Sequence, residues 1–260
     1  MLITFAVEAE FAPWREARHF RKEEVARHDG AGGPDAVYRR DFDGASVGVA
    51  FTGIGWRGLP PGLRQLIGKK PEVWISSGLA GALRESARPG DVIAPRALLS
   101  RMPSSGPGSE RLEVDRELHG LALRCGAKDA DCLLTADRVL TRASEKKTEA
   151  QRASLVDMES FPIAREAKLC QARSVVIRAI SDSAHEDLPV DFNRTLTGRH
   201  EVSVGRVLFE LARNPLAMPS MIRFGRQSRR AAESLGAFLE RYVQSLAASE
   251  ARTAAEVAAP

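Results

Sequence analysis

Cysteine is scarce in this chain, with only Cys125, Cys132 and Cys170 among 260 residues. They form no CxxC pair and no metal-ligand spacing, which excludes a disulfide-stapled scaffold and leaves buried thiols in a reducing cytoplasm as the expectation. Long apolar runs are missing too. The opening stretch Leu2 to Val7 is too short for a membrane span or a signal peptide core, and no basic segment precedes it. No internal repeat and no motif demanding a metal or an organic cofactor is present. Charge of one sign is barely in excess: the net charge of +4 gives nucleic-acid binding no support beyond charge itself, and none is expected.

What is present suits one α/β domain. Hydrophobic residues make up 43% and charged residues 28%, enough for a core that needs no staples. Short β-branched runs at Leu2–Val7, Ala45–Thr52, Glu72–Ser77, Asp91–Leu98 and Ser174–Ile180 read as strands. Helical spacing falls between them at Leu59–Ile67, Asp115–Cys125 and Ser160–Leu169. This alternation predicts a sheet covered on both faces. Ala36–Asp43 and Ala45–Thr52, split by Asp43-Gly44, read as a hairpin, so the sheet should be mixed. "DGAGGP" at 29–34 and "MPSSGPGS" at 102–109 read as loops.

Toward the C-terminus a long helix is expected at about 220–246, with Leu235, Phe238, Leu239, Tyr242 and Leu246 on one face. Its early part mixes Arg223, Arg226, Arg229 and Arg230 with Met218, Met221, Ile222 and Phe224. That pattern fits a core-packed helix with a solvated basic face, or a peripheral membrane contact. One domain over 1–247 is expected, with 248–260 as a disordered tail.

Chemistry concentrates at element ends. Glu8 and Glu10 follow the first strand, where charge is costly unless solvated, paired or used. Gly53-Ile54-Gly55-Trp56-Arg57-Gly58 matches GxGxxG, but prolines follow at once and no ribose-binding acid sits where a dinucleotide fold would place it. Ser76-Ser77-Gly78-Leu79-Ala80-Gly81 reads as a small-residue turn with free N–H groups. "VDMES" at 156–160 contributes Glu159, and "VVIRAISDSA" at 175–184 ends in Arg178, Ser181 and Asp182. Any one of these acids alone would suit a helix cap or a surface charge. Carboxylates at the edges of three elements instead suit a ligand site at strand ends.

Taken together, "AVEAEF", "TGIG", "SSGLAGAL…PGDVI", "VDMES" and "VVIRAISD" resemble the nucleoside phosphorylase and nucleosidase superfamily, most plainly the 5′-methylthioadenosine/S-adenosylhomocysteine nucleosidases, in the family's order over roughly residues 2–192. "LARNPLAMPSMIRFGRQSRRAAESLGAFL" resembles the end of the hopanoid-associated phosphorylases, which act on a lipid-borne nucleoside. The resemblance implies a three-layer α/β/α fold with a mixed central sheet, usually a homo-oligomer, and cleavage of a purine nucleoside with no cofactor. Phosphate is the alternative to water as co-substrate. Catalytic roles are implied for Glu10 as general base, Asp182 as general acid and Arg178 near the nucleophile. Glu159 and Met158 would hold the ribose, while Val139 and Leu140 belong to a strand that reads the adenine edge. Val7 and Ile54 would line the 5′ pocket, and Gly55, Ala80, Gly81 and Ser181 complete the implied substrate contacts.

Departures accompany the likeness. Leu79 replaces a serine, the stretch from Leu140 to Val156 is short, and no Gly-Asp-Pro-x-Arg phosphate loop is present. The missing loop favours hydrolysis, although Arg57 and Arg178 could serve a phosphate. Two other readings stay open: a non-catalytic nucleoside-binding module on the same fold, and an NAD(P)-binding enzyme argued from the glycines alone.

Overall fold

The computed structural model describes residues 1–25, 35–42, 44–101, 110–195 and 217–258. The loops read at 29–34 and 102–109 lie outside these residues. The elements run β1 (Leu2–Phe5), α1 (Glu8–Ala17), β2 (Arg21–Val25), β3 (Asp35–Phe42), β4 (Ala45–Phe51), α2 (Pro61–Ile67), β5 (Val73–Ala82) and β6 (Val92–Ser100). They continue with β7 (Arg111–Glu113), α3 (Arg116–Arg124), β8 (Lys128–Thr135), α4 (Ala143–Glu149), β9 (Leu155–Asp157) and α5 (Ser160–Leu169). The remaining described elements are β10 (Arg173–Asp182), α6 (Phe192–Thr195) and a long helix, here α7, Met218–Ala258.

Among the described residues, ten strands form one mixed sheet. Parallel pairing joins β4 to β1, β1 to β5 and β5 to β10, and the hairpin expected at β3–β4 adds antiparallel strands outward to β2. The other side of the sheet curls back on itself. Strand β10 pairs with β6, β6 with β8, β8 with β9, and β9 returns to β5, so five strands close a ring.

Strand periodicity sorts β1 between two helical layers. Ile3 and Phe5 point into a cluster with Phe11 and Trp14 of α1, Leu118 of α3, and Phe238 and Tyr242 of α7. Leu2 points the other way, to Leu63 and Leu66 of α2 and Ile163 and Ala167 of α5. Each such large side chain, fully buried, contributes about 1.5–3 kcal/mol of transfer free energy. This is the three-layer α/β/α arrangement with a mixed sheet.

Three details differ from expectation. The acids Glu8 and Glu10 lie in the first turn of a helix, α1, where carboxylates complement the free N–H groups. The stretch 76–82, expected as a turn from its small residues, is the second half of strand β5. Pairing along its whole length with β10 outweighs the low strand propensity of glycine and alanine there. Finally, α7 runs past 246 to Ala258, because the Ala-rich segment expected to fray consists of strong helix formers.

Helix α7 matters to the site because it holds α1. Gly236 lets the two helices touch: a Cβ there would lie 3.0 Å from the Cβ of Trp14. Four residues on, buried Glu240 accepts hydrogen bonds from Trp14 Nε1 (2.8 Å), Arg18 Nε (2.8 Å) and Arg40 (3.0 Å). Burial pushes the Glu240 carboxyl up, but these donors and the Arg40 charge outweigh it and hold the group below the usual carboxylate range. Replacing Glu240 with alanine strands a buried indole N–H and two arginines. Urea unfolding should show Glu240→Ala destabilised by about 3 kcal/mol. A loss under about 1 kcal/mol would mean the network is a solvated surface cluster.

Candidate active site

The cleft opens where the sheet's pairing is interrupted. On one side of β5, pairing with β1 stops at Ser76 and pairing with β9 begins at Gly81. Between them the backbone of β5 faces a gap, and α1 enters it. Glu10 turns back over its own helix start: Oε2 accepts from Ala6 N (2.9 Å) and Val7 N (3.3 Å), while Oε1 accepts from Leu79 N (2.9 Å). Gly78 permits this approach, since a Cβ there would stand 3.1 Å from both carboxylate oxygens, and its φ is +147°. Glu8, two residues earlier, points out of the cleft. It accepts from Tyr38 Oη (2.8 Å) and pairs with Arg15.

Beneath the cleft lies Arg178, 1% exposed. It donates to Asp157 Oδ2 through Nε (2.9 Å) and to Ser76 Oγ (3.0 Å), so one guanidinium joins β10, β9 and β5. Asp157 also accepts from Thr135 Oγ1 (2.9 Å) and Ser160 Oγ (2.5 Å). Next to it, Glu159 Oε1 accepts from Gly55 N (2.6 Å). That glycine N–H, part of the GxGxxG stretch, therefore serves a carboxylate of this chain and is not left as a cradle for pyrophosphate.

These acids crowd one another. Burial, then the Asp157 charge, pushes the Glu159 carboxyl up to about 8, against the pull of the Gly55 N–H and Arg178. Burial also raises Glu10, opposed by the Leu79 N–H and the Arg178 charge. On the far wall the β10 register shifts between Ile180 and Asp182, which turns Asp182 to the cleft opposite Gly81. Asp182 Oδ1 accepts from Ser181 Oγ (2.6 Å) and Oδ2 from Lys146 Nζ (2.6 Å).

The resulting cavity has a volume of about 630 Å³. Glu10, Glu159, Asp182, Met158, Val7, Ile54, Ala80, Gly81, Val139, Leu140 and Ser181 all line it. Two expected residues do not. Gly55 acts through its N–H on Glu159, and Arg178 sits behind the wall, its guanidinium held by Asp157 and Ser76. Val139 and Leu140 belong to irregular backbone after β8, not to a strand, because the sheet pairing of β8 ends at Thr135. The Val139 peptide is already occupied: Asn193 Oδ1 accepts from its N–H (2.9 Å) and Asn193 Nδ2 donates to its carbonyl (3.0 Å).

Sequence reasoning did not single out Lys146, Asp157 or Asn193. Asp157 stands in VDMES, where the family resemblance gives roles to Met158 and Glu159 alone. No group of three or more His, Cys, Asp or Glu among the described residues is arranged to hold a metal ion.

A family model described as "Phosphorylase superfamily" matches residues 2–213. The chain belongs to that superfamily. No protein of curated function matches the sequence. Among solved structures, futalosine hydrolase from Helicobacter pylori is similar at a TM-score of 0.66 and 16% identity, covering 94% of this chain and 98% of that one. The 5′-methylthioadenosine/S-adenosylhomocysteine nucleosidase of H. pylori gives 0.67 and 16%, covering 94% and 97%. Its Neisseria meningitidis counterpart, in complex with methylthio-immucillin-A, gives 0.65 and 19%, covering 94% and 98%. At such identities these structures speak for the fold alone.

The raised Glu159 has a consequence for stability. Its carboxyl titrates at the ordinary 4.5 when unfolded and at about 8 when folded. Between those values the folded protein keeps a proton that the unfolded chain has released, so stability falls as pH rises through this window. Glu159→Gln should remove that slope, gaining about 2–4 kcal/mol on wild type between pH 5 and pH 9 in urea unfolding. A difference constant across pH would show that Glu159 is not the titrating group.

Proposed function

We propose that the protein cleaves the N-glycosidic bond of a purine nucleoside, with adenine as the base, water as the acceptor and an apolar group at the 5′ position. The observation that carries this reading is two carboxylates of different character across one cleft. Glu10 is held by three backbone N–H groups and raised by burial, as suits a base. Asp182 faces it with two side-chain donors of its own.

Breaking the bond builds positive charge on the ribose and negative charge on the departing base. Glu10 orients a water and takes its proton as oxygen attacks C1′. The bond's electron pair leaves with the base, and a proton delivered at Asp182 to the purine N7 neutralises it. The carboxylates around C1′ stabilise the cationic ribose, as in glycoside hydrolysis. Glu159, protonated near neutral pH, can both donate to and accept from the ribose hydroxyls. Reading of the base edge by the Val139 peptide requires the Asn193 carboxamide to leave, since it makes the same paired contacts. Asn193→Ala should accordingly lower KM several-fold with little change in kcat.

Water is favoured over phosphate by the charges in the cavity wall. Among its described lining residues, Arg138 pairs with Glu145, Lys146 with Asp182 and Arg229 with Glu233. An apolar 5′ group is favoured by the apolar part of the lining, Ala9, Ala12 and Pro13 of α1 with Phe192 and Phe224, whose rings touch each other. Just outside, Met218 and Ile222 are 45% and 50% exposed on the arginine-bearing start of α7. This combination supports a lipid-linked adenosyl substrate met at the inner membrane face. No described helix is long and apolar enough to cross a membrane. Cytoplasmic location and homo-oligomer assembly belong to this reading through the family resemblance.

The test is adenine release from adenosine, methylthioadenosine and a 5′-alkyl adenosine, each with and without phosphate. Phosphate-independent release, fastest with the alkyl substrate, is expected. Strict phosphate dependence would make the protein a phosphorylase, and no release from any would return it to a binding module. Glu10→Gln and Asp182→Asn should each lower kcat by about 10²–10⁴-fold in protein that still folds, as judged by its circular dichroism.

A further inference from the structure

Lys146 is 1% exposed, on a short helix whose inward face is otherwise Glu149, itself paired with Arg101. A buried ammonium is costly unless every proton finds an acceptor. Here all three do: Nζ donates to Asp182 Oδ2 (2.6 Å), Ser183 O (2.8 Å) and Glu186 O (3.0 Å). Two of those acceptors are backbone carbonyls following Asp182, so the contacts aim the ammonium at that carboxylate.

The hydrogen bonds leave a question about the proton. A carboxyl that protonates a leaving base must carry a proton on one oxygen. Both oxygens of Asp182 already accept, one from Ser181 Oγ and one from Lys146 Nζ. Of these two donors only the ammonium is an acid of useful strength; an aliphatic hydroxyl is not. We propose that Lys146 is a positioning residue that supplies, through Asp182, the proton needed by the departing base. The inference rests on the nucleoside-cleaving reading above.

As C1′–N9 breaks, its electron pair passes to the base. Lys146 Nζ passes a proton to Asp182 Oδ2, which passes it on to N7, leaving a neutral amine on Lys146. The carboxylate ends the step as it began. Glu10 meanwhile holds the proton removed from water, and exchange with solvent between turnovers returns Glu10 to carboxylate and Lys146 to ammonium. Net, water has been divided between ribose and base.

The experiment compares wild type, Lys146→Met, Lys146→Arg, Asp182→Asn and the Lys146→Met/Asp182→Asn double variant on adenosine. N7-methyladenosine, whose base leaves without protonation, is the companion substrate. Lys146→Met should lose about 10²–10⁴-fold in kcat on adenosine, with KM changed less than about threefold, and lose under tenfold on the methylated nucleoside. Lys146→Arg keeps the charge but does not release a proton, and should lose as much as Lys146→Met. The double variant should be no slower than Asp182→Asn, since the two residues act as one unit.

Equal losses on both substrates, multiplicative losses in the double variant, or Lys146→Arg above a tenth of wild-type rate would each overturn the proposal. The adenosine comparisons decide alone if wild type leaves the methylated nucleoside uncut. If Lys146→Met does not fold, Lys146→Gln, which keeps donors for the carbonyls, carries the same comparison. Wild type inert on adenosine and on the 5′-alkyl nucleoside would sink the activity reading itself and not this step.

Discussion

One buried cation, the Arg178 guanidinium, holds this structure's charges together. It is paired with Asp157 and hydrogen-bonded to Ser76, so it ties three strands of the closed ring under the cleft. Its charge also opposes the burial that raises Glu10 and Glu159. Without it, Asp157 would be a buried charge with hydroxyl and amide partners only, and Glu10 and Glu159 would lose the positive charge that opposes their burial. Concentrated negative charge in a packed interior is sustained by this guanidinium under the cleft, with the Lys146 ammonium serving Asp182 on the far wall.

The gap in the β5 ladder explains why the acids can meet there. A continuous sheet would have used the Leu79 N–H for pairing; the interruption between β1 and β9 gives it to Glu10. Gly78 keeps that approach free of a Cβ, and the β10 irregularity brings Asp182 to the opposite wall. Helix α1 supplies Glu10 and is itself clamped by α7 through Gly236 and Glu240. The long C-terminal helix therefore contributes twice, lining the cavity with Phe224 and Arg229 and fixing the helix that bears Glu10.

Much of this was legible in the residues. The β3–β4 hairpin, strand β10, helices α3 and α5, and the apolar face of α7 follow from periodicity and turn chemistry. Nearly all the expected contact residues do line one cavity, because ordered motifs at strand ends report a shared geometry. Other features could not be read. The second half of strand β5 is mostly Ser, Gly and Ala, which have little local preference for strand, and long-range pairing with β10 makes it one. Ring closure depends on β9, three residues long, too short for any pattern. Lys146 follows Glu145 and precedes Lys147 in a polar run, and nothing local tells which lysine turns inward. The Asn193 contact with Val139 joins residues far apart in the chain.

Under the proposed function the cleft stabilises a positive ribose, with Glu10 and Asp182 in its walls and Asp157 held by Arg178 beneath. The most direct test is the affinity of an adenine nucleoside mimic whose ring oxygen is replaced by a protonated amine, against that of the neutral nucleoside, by calorimetry. The account predicts the cation at least about 100-fold tighter. Equal affinity for the two would contradict it.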